Sequence, residues 1–435
     1  LVDYGFLTPK APVEEENKDF RQASDFKNSS DFSDAQGNPL FVVDPISLLE
    51  EDFYLPVGTS LRGEDGSLVI SFVDRIHNVS SLPLESQDKN IYSPKSVSFS
   101  PDGERVYVNS LEGFKTLVYD AESREPTDVI YHQYNNRYGK PVESAFSHEG
   151  KFLWVPYYRW TDDILGSQPS AVAIIDTSSN AIVKVLDTGL ISKNIAISPA
   201  SNFAAVTNWG ENTVTLFNIK NNNAEGFTLN ETLVIGKKIN LASTAENPID
   251  HDRFCGLCVR GVLFSPDESV LLVGMMGGGG IAGFDLSTNE FMGIVNTAGL
   301  FPRDLILTPD DETVYISSSD GSVKRVKINK LIDTLRASNK KTVSAPNIFE
   351  TISVGKLPRT IKISPDGKHA FVVLNSTSEI VVLNTETFKI VGKIRGDAFR
   401  VGLDISPDGK WLWTTSQGHS GKGGNSINIF SISKK

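Results

Sequence analysis

One short pattern occurs seven times in this chain of 435 residues: an alternating apolar stretch, a turn of Ser-Pro-Asp-Gly type, and a second apolar stretch. The turns open at Ser100, Ser147, Ser198, Ser265, Thr308, Ser364 and Ser406, with gaps of 47, 51, 67, 43, 56 and 42 residues read directly from the sequence. Alternation with period two belongs to strands, and strands repeated at this spacing close into a β-propeller rather than stack as a helical solenoid. In the sixth copy RTIKIS (359–364), HAFVVLN (369–375), EIVVLNT (379–385) and KIVGKI (389–394) read as the four strands of one blade. The turn suits its task, because Pro presets φ, Asp bonds the nearby backbone and Gly accepts positive φ. Asp and Gly degrade in the third, fourth and fifth copies while the flanking strands persist, so the turn serves the scaffold.

The last copy ends in SINIFSISKK, its third strand, and has no residues left for a fourth. An open edge invites aggregation. A strand just ahead of the first copy, within 68–90, is therefore expected to complete the seventh blade and tie the N-terminal part to the ring.

That N-terminal part differs in charge. Residues 1–90 hold 17 acids and 7 bases, a net of −10, whereas the remaining 36 acids and 35 bases nearly cancel within the whole-chain net of −11. Residues 1–38 are polar and without apolar period; LFVVDP, DFYLPVG and SLVISFVDRI then read as a few strands. The expectation is an all-β chain with two parts: a small acidic β unit over 1–85 with a polar extension, and a seven-bladed propeller over 86–435. For the first part a small immunoglobulin-like sandwich and an extension wrapping the propeller both fit.

Composition excludes several classes. The acidic balance argues against general nucleic-acid binding, which needs clustered Lys and Arg. No apolar run approaches the roughly 20 residues of a membrane-spanning helix, and two Cys make no disulfide framework. The chain begins at Leu1 rather than Met, which is read as removal of something upstream, either a targeting segment or residues beyond an arbitrarily chosen boundary.

The most coherent chemical signal lies five residues before each turn, at the start of the innermost strand. There stand Lys95, Val142, Lys193, Arg260, Arg303 and Arg359, with Arg400 one residue further back in the last copy. Such a ring at the channel mouth would focus positive potential on an anionic ligand. A structural role for each cation, bonding a neighbouring blade or pairing with an acid, is the alternative. The loops between second and third strands open on the same mouth, and the longest, PYYRWTDDILGSQPS (156–170), carries Tyr157, Tyr158, Arg159 and Trp160. With Trp209 and His419 these residue types suit a partner-binding face, unless the aromatics are local core.

Other motifs carry less. Gly277 to Gly280 lack the helix or the Gly-Lys-Ser/Thr ending of a phosphate loop, so no nucleotide site is read there. Cys255 and Cys258 form CGLC, but Val259 follows where haem attachment requires His, and a zinc site lacks its four ligands. A local disulfide or an unreacted pair is the expectation, with no metal. No paired carboxylates, nucleophile elbow or His set is found, so no catalytic residue and no cofactor is assigned.

VTNWGENTVTLFNI (206–219), SPDGKHAFVVLNSTSEIVVLNTETFKIVGKI (364–394) and SPDGERVYVNSLEGFKTLVYDAE (100–122) resemble the YVTN-type propeller repeat of bacterial surface and periplasmic proteins, over about 90–435. An acidic N-terminal part joined to seven such blades is similar to propeller surface antigens of leptospiral type. The resemblance implies an extracytoplasmic place, at the cell surface or associated with the outer membrane, with surface anchoring as one form of that association, and a binding role. The functional expectation is non-catalytic binding of a protein or surface macromolecule through the loop-rich face. A carrier or enzyme that takes a small anion in the channel is the alternative.

Overall fold

The computed structural model describes residues 53–239, 248–297, 299–418 and 424–434. Seven sheets, antiparallel except for one short parallel strand, Thr342–Ser344, at the outer edge of the fourth, follow one another around a central channel, with the innermost strands of neighbouring blades packed together. The sixth blade runs Pro358–Ile363, His369–Leu374, Glu379–Asn384 and Lys389–Arg395, in spatial order of sequence. These bounds fall within a residue of those read from the alternation.

The repeated turn is a side-chain staple. In the first blade the Ser100 hydroxyl donates to Asp102 and accepts the Arg105 N–H at 2.9 Å, while Gly103 sits at φ 77°. Ser265, Thr308, Ser364 and Ser406 repeat it with Asp267, Asp310, Asp366 and Asp408. The hydroxyl bond holds the Asp102 carboxyl below its ordinary value. Where Gly is missing, Ser201, Glu268 and Asp311 take the same left-handed conformation at φ 55°, 57° and 60°. A side chain there costs on the order of 1–2 kcal/mol, which explains why the turn outlasts its glycine.

Closure of the ring falls to the chain's two ends. Leu68–His77 pairs antiparallel with Ser426–Lys434 as the fourth strand of the seventh blade, and Ser60–Arg62 adds a fifth. The strand expected within 68–90 is thus the one that completes the blade. It is locked by charge: Arg75 meets Asp397 at 2.8 Å, and Asp397 also accepts from the Leu55 N–H, Ser426 and Asn428. Leu55, Leu68, Ile70 and Phe72 join the buried core between the sixth and seventh blades. Residues 53–77 therefore belong to the rim of the propeller, and 78–85 begin the connection from them to the first blade; residues 1–52 of the expected acidic unit lie outside the described residues.

Two additions decorate the ring. Helix α1 (Ile328–Ala337) interrupts the fifth blade before its outer strand, with Ile328, Leu331, Ile332 and Leu335 buried at helical spacing. A hairpin, Gln133–Tyr134 and Arg137–Pro141, extends the long second strand Phe152–Trp160 of the second blade. Its two-residue turn, Asn135-Asn136, has positive φ at both positions, as tight hairpins require.

Candidate binding site in the central channel

Six of the seven innermost strands carry their irregularity at the same place. Pro94 faces Ser110 and Ser96 faces Asn109, leaving Lys95 as the extra residue of a β-bulge. Lys193 and Arg303 are extra in the same way, and the register slips likewise across Arg260 and Arg359. A bulge bends the strand and re-aims its side chain, so one backbone device turns all five cations. In the seventh blade the extra residue is Val401, and Arg400 occupies the paired position before it. A shift of one residue along a strand reverses the face. Arg400 is accordingly fully buried away from the channel lining, donating to Asn428 and stacked 5.2 Å from the Phe430 ring. Burial pushes its guanidinium down to about 10.

The bulge's structural task is performed by the main chain. Thr207 of one blade donates to the Arg260 carbonyl of the next at 2.9 Å, Ser317 donates to that of Arg359, and Thr415 to that of Lys95 at 3.2 Å. In the second blade the Val142 carbonyl accepts from Ser96 and Asn109, and the Val401 carbonyl accepts from Thr360. Valine therefore builds this junction as well as arginine does. The positive charge is not what the junction needs.

The channel encloses a cavity of about 340 Å³ lined by Glu143, Arg260, Arg303, Asp304, Arg359, Lys362 and Asp404, among others. Arg260 approaches Glu143 at 3.7 Å, Arg359 donates to Asn375 at 3.1 Å, and Lys362 pairs with Asp404 at 3.1 Å. Burial, reinforced by the Arg260, Arg359 and Arg303 guanidiniums, drives the Lys95 ammonium well below its ordinary range. Burial also raises the Asp304 carboxyl to about 6, and Glu143 adds to the effect. The cavity wall thus brings Arg260, Arg303, Arg359 and Lys362 together with Glu143, Asp304 and Asp404. In a low-dielectric wall charged groups act on one another and on a ligand more strongly than in water.

Lys193 is drawn out of this group. Its ammonium lies 2.7 Å from Asp252, and 4.2 and 4.9 Å from the Tyr158 and Trp209 ring centres. Tyr158 donates its hydroxyl to Asp252 at 2.7 Å, and the Trp209 indole donates to the Asp252 carbonyl at 2.8 Å. Burial lowers Lys193 to about 8 even though Asp252 opposes it. Behind this box Cys255 and Cys258 form a buried disulfide packed on Ile191, Trp209 and Met276.

The other loop aromatics are largely core. Tyr157 is fully buried over Gly139, where any Cβ would strike its ring, and Trp160 donates its N–H to Pro169 under the Arg137 guanidinium. Tyr157, Trp160 and Trp209 thus brace the second and third blades instead of standing exposed, and Tyr158 is half-buried in the Lys193 box. His419 lies outside the described residues. Among the aromatics of the second blade's neighbourhood, Tyr131, Tyr134 and Tyr138 on and beside the hairpin are exposed, which the Asn-Asn turn could have flagged, and Ile164 is exposed in the long loop. Glu143, Asp304 and Lys362 escaped notice because each occurs in a single copy, without the repetition that revealed the cations. Among the described residues no cluster of His, Cys, Asp and Glu could hold a metal ion, and no helix is long and apolar enough to cross a membrane.

Over 79% of its length the chain is similar to a chain of Kuenenia stuttgartiensis hydrazine synthase, with 13% identity, a TM-score of 0.57 and 96% of that chain covered. The β-propeller domain of Myceliophteria thermophila Cps50 (Swd1) is similar over 78%, with 12% identity, a TM-score of 0.57 and 96% coverage. Both likenesses concern the fold, an all-β propeller of seven blades. No protein-family model and no curated protein matches the chain.

Proposed function

We propose that this is an extracytoplasmic, non-catalytic binding protein that takes a small anionic group in the mouth of its central channel. The observation that carries the reading is the chemistry at one repeated position: Val142 and Val401 make the same main-chain junction, yet Arg260, Arg303 and Arg359 bring three guanidiniums to one polar cavity. Guanidiniums converging on a polar cavity are the groups that recognise a small anion. The Cys255–Cys258 disulfide fits an oxidising compartment, and the YVTN-type repeats and the likeness to leptospiral surface antigens fit a place at the cell surface.

Propellers also serve commonly as platforms for protein partners, and one observation favours that as a second reading. Tyr131, Tyr134 and Tyr138, on and beside the hairpin, are exposed by 59, 41 and 39%, and tyrosines are frequent binding anchors.

The test is a thermal-shift series with inorganic phosphate, sulfate and succinate against the parent and an Arg303→Ala/Arg359→Ala variant. A ligand at about a hundred times its dissociation constant stabilises by about 2.7 kcal/mol. The parent is expected to gain melting temperature with at least one anion, and the variant to lose that gain. No shift in either protein would defeat the channel reading and leave the exposed tyrosines.

A further inference from the structure

Independently of the channel, we propose that the seventh blade holds a buried halide ion such as chloride, bound by the guanidinium of Arg400 and the hydroxyl of Thr414. Arg400 is fully buried. Its Nη2 donates to Asn428 and the group is stacked on Phe430, whereas Nε and Nη1 meet no acceptor among the described residues. A guanidinium cannot shed its charge in a protein as a lysine can. Buried donors left without an acceptor lose their hydration for nothing in return, and in native structures such groups mark an ordered water or an ion.

The charge count separates the two. Burial disfavours the positive charge of Arg400, Asp397 favours it and Arg75 disfavours it, and no other charged group among the described residues acts on it appreciably. Asp397 is already taken. Its oxygens accept from the Leu55 N–H, from Nε and Nη2 of Arg75, from Ser426 and from Asn428, more than the roughly four lone-pair sites that a carboxylate offers. Two guanidiniums against one saturated carboxylate leave one positive charge unbalanced inside the blade, where charges are found paired. Water can accept from the free donors but cannot balance that charge. An anion does both.

The surroundings select the kind of anion. Thr414 stands directly opposite Asn428 in the strand pair and therefore on the same face of the sheet. Its hydroxyl is buried and without a partner among the described residues, which adds a neutral donor to those of Arg400. Gly396 lies so near that a Cβ there would fall 1.3 Å from Arg400 Nη2, so space beside the guanidinium is scarce. A monatomic halide brings one negative charge in little volume and accepts from any direction. Phosphate or a carboxylate would add bulk and further oxygens that need donors of their own. Asn428 and Asp397 tie this spot to Arg75 on the closing strand, so the ion completes the lock that shuts the ring.

The test is urea unfolding of the full chain in sodium chloride or bromide, against sodium gluconate at equal ionic strength, with crystals grown in bromide. Midpoints are expected to rise with halide: above the dissociation constant, each tenfold increase raises the folded-to-unfolded ratio by up to tenfold when one ion binds the folded chain alone. Arg400→Met should abolish that dependence, Arg303→Ala/Arg359→Ala should keep it, and the bromide crystals should show an anomalous peak in contact with Arg400. Equal midpoints in halide and gluconate, with no peak at Arg400, would overturn the inference and leave the donors to water. A peak without halide-dependent stability would be binding at crystal concentration only and would overturn it equally. Halide dependence lost in the channel variant and kept in Arg400→Met would move the ion to the channel, again against the proposal. The parent midpoints and the bromide map need no substitution, so misfolding of a variant does not shield the inference.

Discussion

At the scale of single residues the channel sets charge against burial, and Asp304 reports the balance most directly. Its carboxyl rises from 3.8 to about 6 in the folded chain, first through burial and then through Glu143. A raised carboxyl means that the folded state holds a proton the unfolded chain has released. Its contribution to stability is fully present below pH 3.8 and is lost as pH rises through about 6, at most about 3 kcal/mol. Asp304→Asn should flatten that part of the pH profile relative to the parent. Urea midpoints at pH 4, 5, 6 and 7 measure it, and parallel profiles for the two proteins would contradict the assignment. The same proton removes a negative charge beside the arginines. Arg400 teaches the complementary lesson: its residue type matched the ring, yet a single step in register places it in a buried network with Asn428.

At the scale of elements the strand Leu68–His77 turns an open arc into a ring. Its charged lock is costly to break from one side. Asp397 is fully buried and gathers Arg75, Ser426, Asn428 and the Leu55 N–H, so Asp397→Ala strands the Arg75 guanidinium without its partner. Loss of one member of a buried pair costs about 3–5 kcal/mol. Denaturant unfolding should show a loss in that range, whereas a change under about 1 kcal/mol would mean that apolar packing alone holds the strand. The closing strand was legible because the final copy runs out of residues after SINIFSISKK, a counting argument that needs no propensity. Helix α1 was passed over because the strand alternation on either side of it dominated, although Ile328, Leu331, Ile332 and Leu335 carry the helical period.

For the whole molecule, sevenfold repetition made the architecture readable and also bounded what could be read about the site. Repetition exposes a position, as it did for Lys95, Arg260, Arg303 and Arg359, but it cannot say which way a side chain turns. Bulge register decides that, separating these four from Arg400, and a neighbouring Asp252 draws Lys193 aside. The aromatics of the long loop looked like a partner surface because Tyr and Trp suit both an interface and a core. Only the packing of Tyr157 on Gly139 and of Trp209 on the disulfide distinguishes the two. The central claim, that the channel mouth binds anions, is tested most directly by anomalous diffraction from crystals soaked in selenate and, separately, in bromide. The account predicts an anomalous peak inside the channel, within hydrogen-bonding reach of Arg260, Arg303 or Arg359 and absent from Arg303→Ala/Arg359→Ala crystals. Peaks confined to surface lysines, with none in the channel, would contradict it.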